Sequence, residues 1–422
     1  LVNQTLESIV GQTGVTPWEN LAASYQQRIQ LATQKIPGCI VYPETPEQLA
    51  EIIQAASLAK WRLLVCGNAS KLDWGNIADR IDIVISTQRL NQVIEHAVGD
   101  FTVTLQAGVK FSDLQTLLQP TGQFFAVDPL YPEMATIGGI IATGDTGSMR
   151  QRYGSVREQI LGISFVRADG KIAKAGGRVV KNVAGYDLMK LFTGSYGSLG
   201  VITQVTLRLY PIQEASKTVV LVGETDAIAQ AASKIRNSAL TPTQFDLLSQ
   251  GLVTKLGLGQ GLGIMVRFQS IWESVQEQTQ KIIHIADSFN LHRQTYEGEE
   301  ETKLWMRSPQ EIYTPLTGEA IMAKIGILPS YAIELLTNIE IGRIHLGSGI
   351  GNIQCHNINQ VKQIRTLTQS HQGYLTVQIA PPSVKSELDV WGYSGNARGL
   401  MQSIKSQFDP NNLLNPGRFV VG

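Results

Sequence analysis

The sequence is poor in cysteine, with three in 422 residues: Cys39, Cys66 and Cys355. Their spacing fits no zinc ribbon, iron–sulfur cluster or CxxC redox pair, so free thiols in a reducing compartment are expected. There is no excess of either charge: Lys plus Arg and Asp plus Glu both number 35. Without a basic excess, no electrostatic footprint points to nucleic acid or an anionic membrane surface. No uncharged apolar run reaches the roughly 18 residues of a membrane span. The opening "LVNQTLESIVGQTG" has neither a basic n-region nor a long apolar h-region, so no signal peptide is expected. The missing initiator Met leaves the true start open, and the expected location is cytoplasmic.

What is present is apolar residues at 43%, charged residues at 17% and 40 glycines. The first two allow a large buried core and argue against global disorder. The length suggests two or three domains. The glycines crowd between residues 138 and 200, a sign of backbone pressed close to a ligand.

The pattern along the chain is of short α/β units. "TPEQLAEIIQAASLAKW" (45–61) predicts a helix with Thr45 as N-cap and Leu49, Ile52, Ile53 and Ala56 on one face. "RLLVC" and "IDIVIS" (81–86) read as strands. Residues 103–120 read as strand, turn, and a helix capped by Ser112 with a stripe of Leu114, Leu117 and Leu118. Residues 134–155 show little periodicity and hold five glycines between Gly138 and Gly154. Strands at 160–167 and 171–175 flank an Asp169-Gly170 turn. A long strand, Val201 to Leu209, ends at Pro211, a natural domain edge. Beyond it, strands and amphipathic helices predict an antiparallel sheet with helices on one side. The turn-rich end "FDPNNLLNPGRF" (408–419) carries Phe408, Leu413, Leu414 and Phe419, and is expected to pack back on the body.

The loop "CGNASKLDWG" (66–75) follows a strand but matches neither G-x-x-x-x-G-K-[ST] nor G-x-G-x-x-G. Taken alone it reads as a plain turn or as a cofactor loop of another type. Four more stretches decide between these: "MATIGGIIATGDTG", "RYGSV", "KNVAGYDLMKLFTGSYGSLG" and "FDPNNLLNPGRF". In this order the five resemble the FAD-binding domain of the vanillyl-alcohol-oxidase/PCMH flavoprotein superfamily. The resemblance covers about 36–212 plus the C-terminal tail. The Lys-Leu-Asp-Trp-Gly form of the first loop and the short chain are most similar to the E-type FAD-binding subunit of glycolate oxidase. The implied fold is α+β: a PCMH-type FAD-binding module of two α+β subdomains (1–212), a smaller α+β cap (213–390) and a C-terminal segment packing back on the module (391–422).

The resemblance implies FAD and places residues around it. Gly67, Asn68, Ala69 and Ser70 would wrap the pyrophosphate with backbone N–H groups, for which small residues leave room. Asn68 tolerates left-handed φ, and Lys71 is read either as an added charge or as a surface lysine. Thr136, Gly138, Gly139, Ala142, Thr143, Gly144 and Gly147 would run along the other side of the pyrophosphate and the ribityl chain. Arg152, Tyr153, Gly154, Ser155 and Val156 would lie by the isoalloxazine, with Tyr153 alternatively a core aromatic. Gly200, Val201 and Ile202 would flank the adenine. Tyr196 stands where many relatives have glutamate. Some relatives attach the flavin through a histidine of the first loop; positions 68–71 hold none, so FAD is expected to be non-covalent.

Relatives that oxidise D-2-hydroxy acids carry H-x-G-D-G-N-x-H, whose histidines hold a metal, and E-H-G-I-G. The nearest stretch here is "IHLGSGIGNIQCH" (344–356), with Ser348 in place of the aspartate; E-H-G-I-G has no counterpart. No metal site is assigned, and no catalytic residue. Arg267, Arg343 and His345 are candidates for a base or a carboxylate clamp, though each reads more readily as a structural or surface residue. Three readings stay open. The first is an FAD-binding subunit of a glycolate (2-hydroxy acid) dehydrogenase complex, accessory or electron-relaying, with a catalytic flavin subunit and an iron–sulfur subunit as partners and any membrane association made through them. The second is a self-sufficient FAD-dependent D-2-hydroxy acid dehydrogenase. The third is a structural subunit that no longer binds flavin.

Overall fold

The computed structural model describes residues 2–177, 185–314 and 320–420. The chain divides into two compact units. One comprises Leu1–Thr146, Gly154–Ile212 and Ser394–Gly422; the other comprises Gly147–Tyr153 and Gln213–Tyr393.

The first unit holds two main sheets. In one, the strands run in the order Val15–Pro17, Cys39–Val41, Ile83–Ser86, Leu63–Cys66, and the last three are parallel. Parallel strands are covered on both faces, which is why "LLVC" and "IVIS" are apolar without alternation. The helix Pro46–Ala59 packs here and buries Leu49, Ile52, Ile53 and Ala56; the Gln48 N–H donates to its N-cap, Thr45 Oγ1, at 3.1 Å. The other sheet is antiparallel, in the order Val93–Ala97, Thr102–Gln106, Val201–Arg208, Ile160–Val166, Ile172–Gly176. Here alternation is clean: Val103, Leu105, Ile163, Phe165, Val205 and Leu207 face a core shared with the helices Phe111–Leu118 and Ile137–Thr143.

Two local expectations are corrected. The helix at 111–118 is N-capped by Lys110, not Ser112. The earlier start brings Phe111 into one buried stripe with Leu114 and Leu118, and leaves Leu117 43% exposed. The stretch 134–155 contains a helix, Ile137–Thr143, with Thr136 as N-cap and Gly144 (φ 60°) closing it. Ile137, Ile140 and Ile141 supply the buried face, a short apolar period interrupted by Gly138 and Gly139.

The second unit is built on one antiparallel eight-stranded sheet. Its order is His292–Tyr296, Ala215–Gly223, Leu262–Ser270, Gln244–Leu248, Gly342–His345, Ile350–Cys355, Ile321–Gly326, Tyr374–Ile379. Val219, Leu221, Leu247, Ile264 and Val266 pack under the helices Thr225–Arg236, Trp272–Ser288, Ala332–Thr337 and Ile358–Ser370. The opposite face is covered too, in part: Val220, Val222, Leu248 and Met265 meet the helices Gln250–Leu256 and Gly298–Tyr313. Helices on one side only were expected. The run "TVVLVG" is apolar on both faces, so both need cover.

Candidate functional site

The loop after the strand Leu63–Cys66 lies directly on the N-terminus of the helix Ile137–Thr143. A Cβ on Gly67 would fall 2.0 Å from Thr136 Oγ1 and 2.9 Å from Thr136 Cβ, so only glycine permits this approach. The Ser86 hydroxyl donates to Gly67 O at 2.8 Å and the Thr87 hydroxyl to Cys66 O at 3.3 Å, which fixes the loop's entry. Its left-handed residue is Ala69 (φ 54°), not Asn68. The Ala69 N–H points to the Cys66 thiol. Among the described residues, no backbone acceptor takes the N–H of Asn68, Ser70 or Lys71. Successive unpaired amides on a tight turn form a concave anion site.

The cleft beside this loop is lined by Gly67 to Lys71, by Thr136, Gly138, Gly139, Ala142 and Thr143, and by Gly200, Val201 and Ile202. A Cβ on Gly139 would meet only Thr136 Oγ1, at 3.1 Å; the space beyond is open. Gly144, Gly154 and Val156 do not line the cleft. Val156 is fully buried in the core of the antiparallel sheet, its N–H donating to Thr146 Oγ1 at 3.0 Å. Gly154 (φ 75°) turns the chain before the capping box of Ser155 and Glu158. Gly147, Arg152 and Tyr153 belong to the second unit.

Lys71 lines the cleft, but its ammonium sits 2.7 Å from Asp145 Oδ2 and both side chains are buried. Asp145 Oδ2 also accepts the Leu130 N–H at 2.9 Å. The charge that the sequence offers to the loop is therefore matched inside the protein.

The sequence reading missed lining residues from the rest of the chain. Tyr196 (φ 54°) and Gly197 form one rim, and Asn415 and Arg418 reach the cleft from the C-terminal tail. Asn415 accepts the Val65 N–H at 2.7 Å and donates to Tyr196 O at 2.5 Å, tying the loop's strand to that rim. Arg418, 3% exposed, donates to Leu72 O, Trp74 O and Asn76 O, each at 2.6 Å, and to Ala32 O at 3.4 Å. The tail's apolar residues signal that it docks. Nothing in their spacing says that Asn415 meets a strand 350 residues earlier.

In the second unit, two of the candidates come together. The register that pairs Asp246 with His345 puts both on one face, and Arg343, two residues earlier, shares it. His345 Nδ1 lies 2.7 Å from Asp246 Oδ1, which also accepts the Ser148 hydroxyl at 2.5 Å; Arg343 Nη1 is 3.5 Å from Asp246 Oδ2. Burial alone would raise the Asp246 carboxyl, but His345 and Arg343 hold it below its usual value. A carboxylate only accepts, so Nδ1 carries a proton and donates it to Asp246 Oδ1. Arg267 stands apart, paired with Glu301 at 3.3 Å, and His356 is a surface residue beside Glu340. Among the described residues, no three His, Cys, Asp or Glu side chains are grouped to hold a metal ion.

Residues 37–176 match the family of the FAD binding domain, and residues 392–419 the C-terminal domain of FAD linked oxidases. Both matches are to the FAD-linked oxidoreductase family. Within that family the chain is 25% identical to the glycolate oxidase subunit GlcD of Bacillus subtilis (strain 168), over 91% of this chain and 89% of that one. It is 26% identical to the mitochondrial cytochrome-linked D-lactate dehydrogenase of Arabidopsis thaliana, over 99% and 81%. Among solved structures, 4-ethylphenol oxidase from Gulosibacter chungangensis superposes with a TM-score of 0.75 at 14% identity, over 99% of this chain and 96% of that one. Substrate-bound p-cresol methylhydroxylase gives 0.70 at 15%, with the same coverage. At those identities the likeness shows the fold, which is PCMH-type. The unpaired amides of the first loop and the bare helix face at Gly139 fit FAD, the former its pyrophosphate and the latter its close approach. No helix among the described residues is long and apolar enough to cross a membrane.

Proposed function

We propose that the chain is the FAD-binding subunit of a complex that oxidises a small 2-hydroxy acid of the glycolate or D-lactate class, with a catalytic flavin subunit and an iron–sulfur subunit as partners. Such an oxidation removes the hydroxyl proton and passes two electrons and the second hydrogen from the carbinol carbon to an acceptor, a role that bound FAD supplies. It needs a base at the hydroxyl and a cation for the carboxylate. The observation that carries the subunit reading is the use of the two arginines. Arg343 faces Asp246 at 3.5 Å and Arg267 faces Glu301 at 3.3 Å, both buried carboxylates, so the charge of each guanidinium is already matched inside the protein and neither is a charge in surplus for a substrate carboxylate. The names of the relatives support the substrate class.

The geometry at Asp246 favours a second reading, a self-sufficient dehydrogenase. A histidine whose Nδ1–H is held by a carboxylate is the arrangement of a general base. Anaerobic stopped-flow reduction of the FAD-loaded chain by glycolate, D-lactate and D-2-hydroxyglutarate separates the two. The subunit reading expects slow or no bleaching from the chain alone and fast bleaching in the assembled complex. Fast bleaching of the single chain transfers the assignment to the second reading.

A further inference from the structure

We propose that Arg418 is the cation that serves the FAD pyrophosphate, which makes the C-terminal tail part of the cofactor site. The inference rests on the reading of the cleft as the FAD cradle and adds to it the residue that matches the ligand's charge.

The argument starts from charge. Among the described residues, two cations line the cleft, Lys71 and Arg418. Lys71 is matched by Asp145 at 2.7 Å, a buried pair of net charge zero. The charge of Asp73, on the same loop, reaches Arg418 and partly offsets its burial. The hydrogen-bond partners of Arg418 are the carbonyls of Ala32, Leu72, Trp74 and Asn76, which orient a charge without neutralising it. A buried guanidinium whose hydrogen bonds all go to neutral carbonyls still favours an anion beside it.

Donor geometry gives the second step. A guanidinium has five N–H groups in a rigid plane. Nη1 and Nη2 donate to the four carbonyls; the Nε–H has no acceptor among the described residues. The four bonds lock the plane before any ligand arrives, and a donor held in advance gives up little entropy on binding. A lysine could not hold four carbonyls and still offer a donor.

Placement gives the third. The carbonyls at 72, 74 and 76 follow directly on the amides of Asn68, Ser70 and Lys71 that lack backbone acceptors. Charge and unpaired donors thus converge on one loop from opposite ends of the sequence. Burial also pulls the guanidinium down to about 10, a cost that an anion at this position would relieve.

The test uses the full chain, freed of flavin and labelled with ¹⁵N-arginine. The Arg418 Nε–H resonance is assigned by its loss in Arg418→Lys. Titration with FAD or ADP is expected to move that resonance, and titration with riboflavin, which has no phosphate, to leave it in place. In parallel, Arg418→Gln is expected to weaken FAD and ADP binding by the same factor, about ten-fold or more, and riboflavin binding by less than about two-fold. An unmoved resonance in a chain that takes up one FAD overturns the role of Arg418 and leaves the cradle standing. So does an equal loss of riboflavin and FAD affinity in Arg418→Gln, which would mean that the arginine only shapes the loop. A wild-type chain that binds no FAD overturns the cradle reading itself.

Discussion

Gly67 and Gly139 line the same cleft for opposite reasons. Gly67 is glycine because protein lies against it: a Cβ there collides with Thr136. Gly139 is glycine although its own helix would accept alanine, since its Cβ would point into the open cleft and its φ is helical. The two positions should therefore respond with opposite signs. Gly139→Ala is expected to stabilise the flavin-free chain by up to about 1 kcal/mol, the helix-propensity gain. Gly139→Val should still fold and lose FAD. Gly67→Ala is expected to destabilise the flavin-free chain by about 1–3 kcal/mol through overpacking. Thermal midpoints and flavin titrations of the three variants decide this; full FAD occupancy in Gly139→Val would remove that residue from the site. The flavin itself should leave on acid precipitation. The described lining holds no histidine, and burial pushes the Cys66 thiol up to about 12, so it remains an unreactive thiol at neutral pH. Yellow colour retained by the pellet would contradict a non-covalent cofactor. At this scale the contiguous half of the cleft is legible in the sequence, because small residues at 67–70 and the glycines at 138 and 139 state their purpose locally. Lys71 is not legible, since its partner Asp145 is brought to it only by the fold, and Asn415 and Arg418 are hidden for the same reason.

The element that completes the cleft is the tail. The helix Arg398–Phe408 ends in Asp409, whose carboxylate accepts the N–H groups of Leu413 and Leu414 and turns the chain. Lys405, one helical turn earlier, donates to Asp409 at 2.5 Å and to the carbonyls of Ser198 and Leu414. Leu413 and Asn415 then pair with Leu63, so the tail runs beside the strand that feeds the first loop. Lys405→Met leaves Asp409 a buried charge with only amide partners. It is expected to cost about 3 kcal/mol and to weaken FAD binding through the loop's strand. Urea unfolding with a parallel flavin titration measures both; a loss under about 1 kcal/mol would mean that the pair does not hold the tail. Elements with an unbroken period, such as Pro46–Ala59 or Val201–Arg208, are readable directly. The helix Ile137–Thr143 is not, because its glycines serve the cleft and interrupt the apolar period. The two-sided cover of the large sheet was also missed. It follows from apolar residues on both faces of Ala215–Gly223, a pattern that single-face alternation does not describe.

Across the whole molecule, the buried thiols make a prediction that samples both units. Cys39 lies in the small sheet of the first unit and Cys355 in the large sheet of the second, and neither side chain is exposed. Burial pushes Cys39 up to about 11 and Cys355 up to about 12, from an ordinary value of 9.0. A group whose value is raised by folding contributes its full stability below the unfolded value and loses it as pH rises toward the folded one. Above pH 9 the unfolded chain releases these protons and the folded chain keeps them. Stability should therefore fall with rising pH, with a limiting slope of about 1.4 kcal/mol per pH unit for each buried thiol. Cys66, partly exposed, adds to this in the same direction. Lys405 acts against it. Burial lowers its ammonium, so the unfolded chain holds that proton longer and stability gains as pH rises. Arg418, which burial pulls down to about 10, acts in the same sense as Lys405, and three thiols against these two cations give a net loss. Urea midpoints at pH 8, 9 and 10 should be level over the first interval and drop over the second, and Cys355→Ala should make the drop shallower. A midpoint unchanged between pH 9 and 10 would show that the thiols titrate in the folded chain as they do in the unfolded one, and that the two sheets are open to water where Cys39 and Cys355 sit.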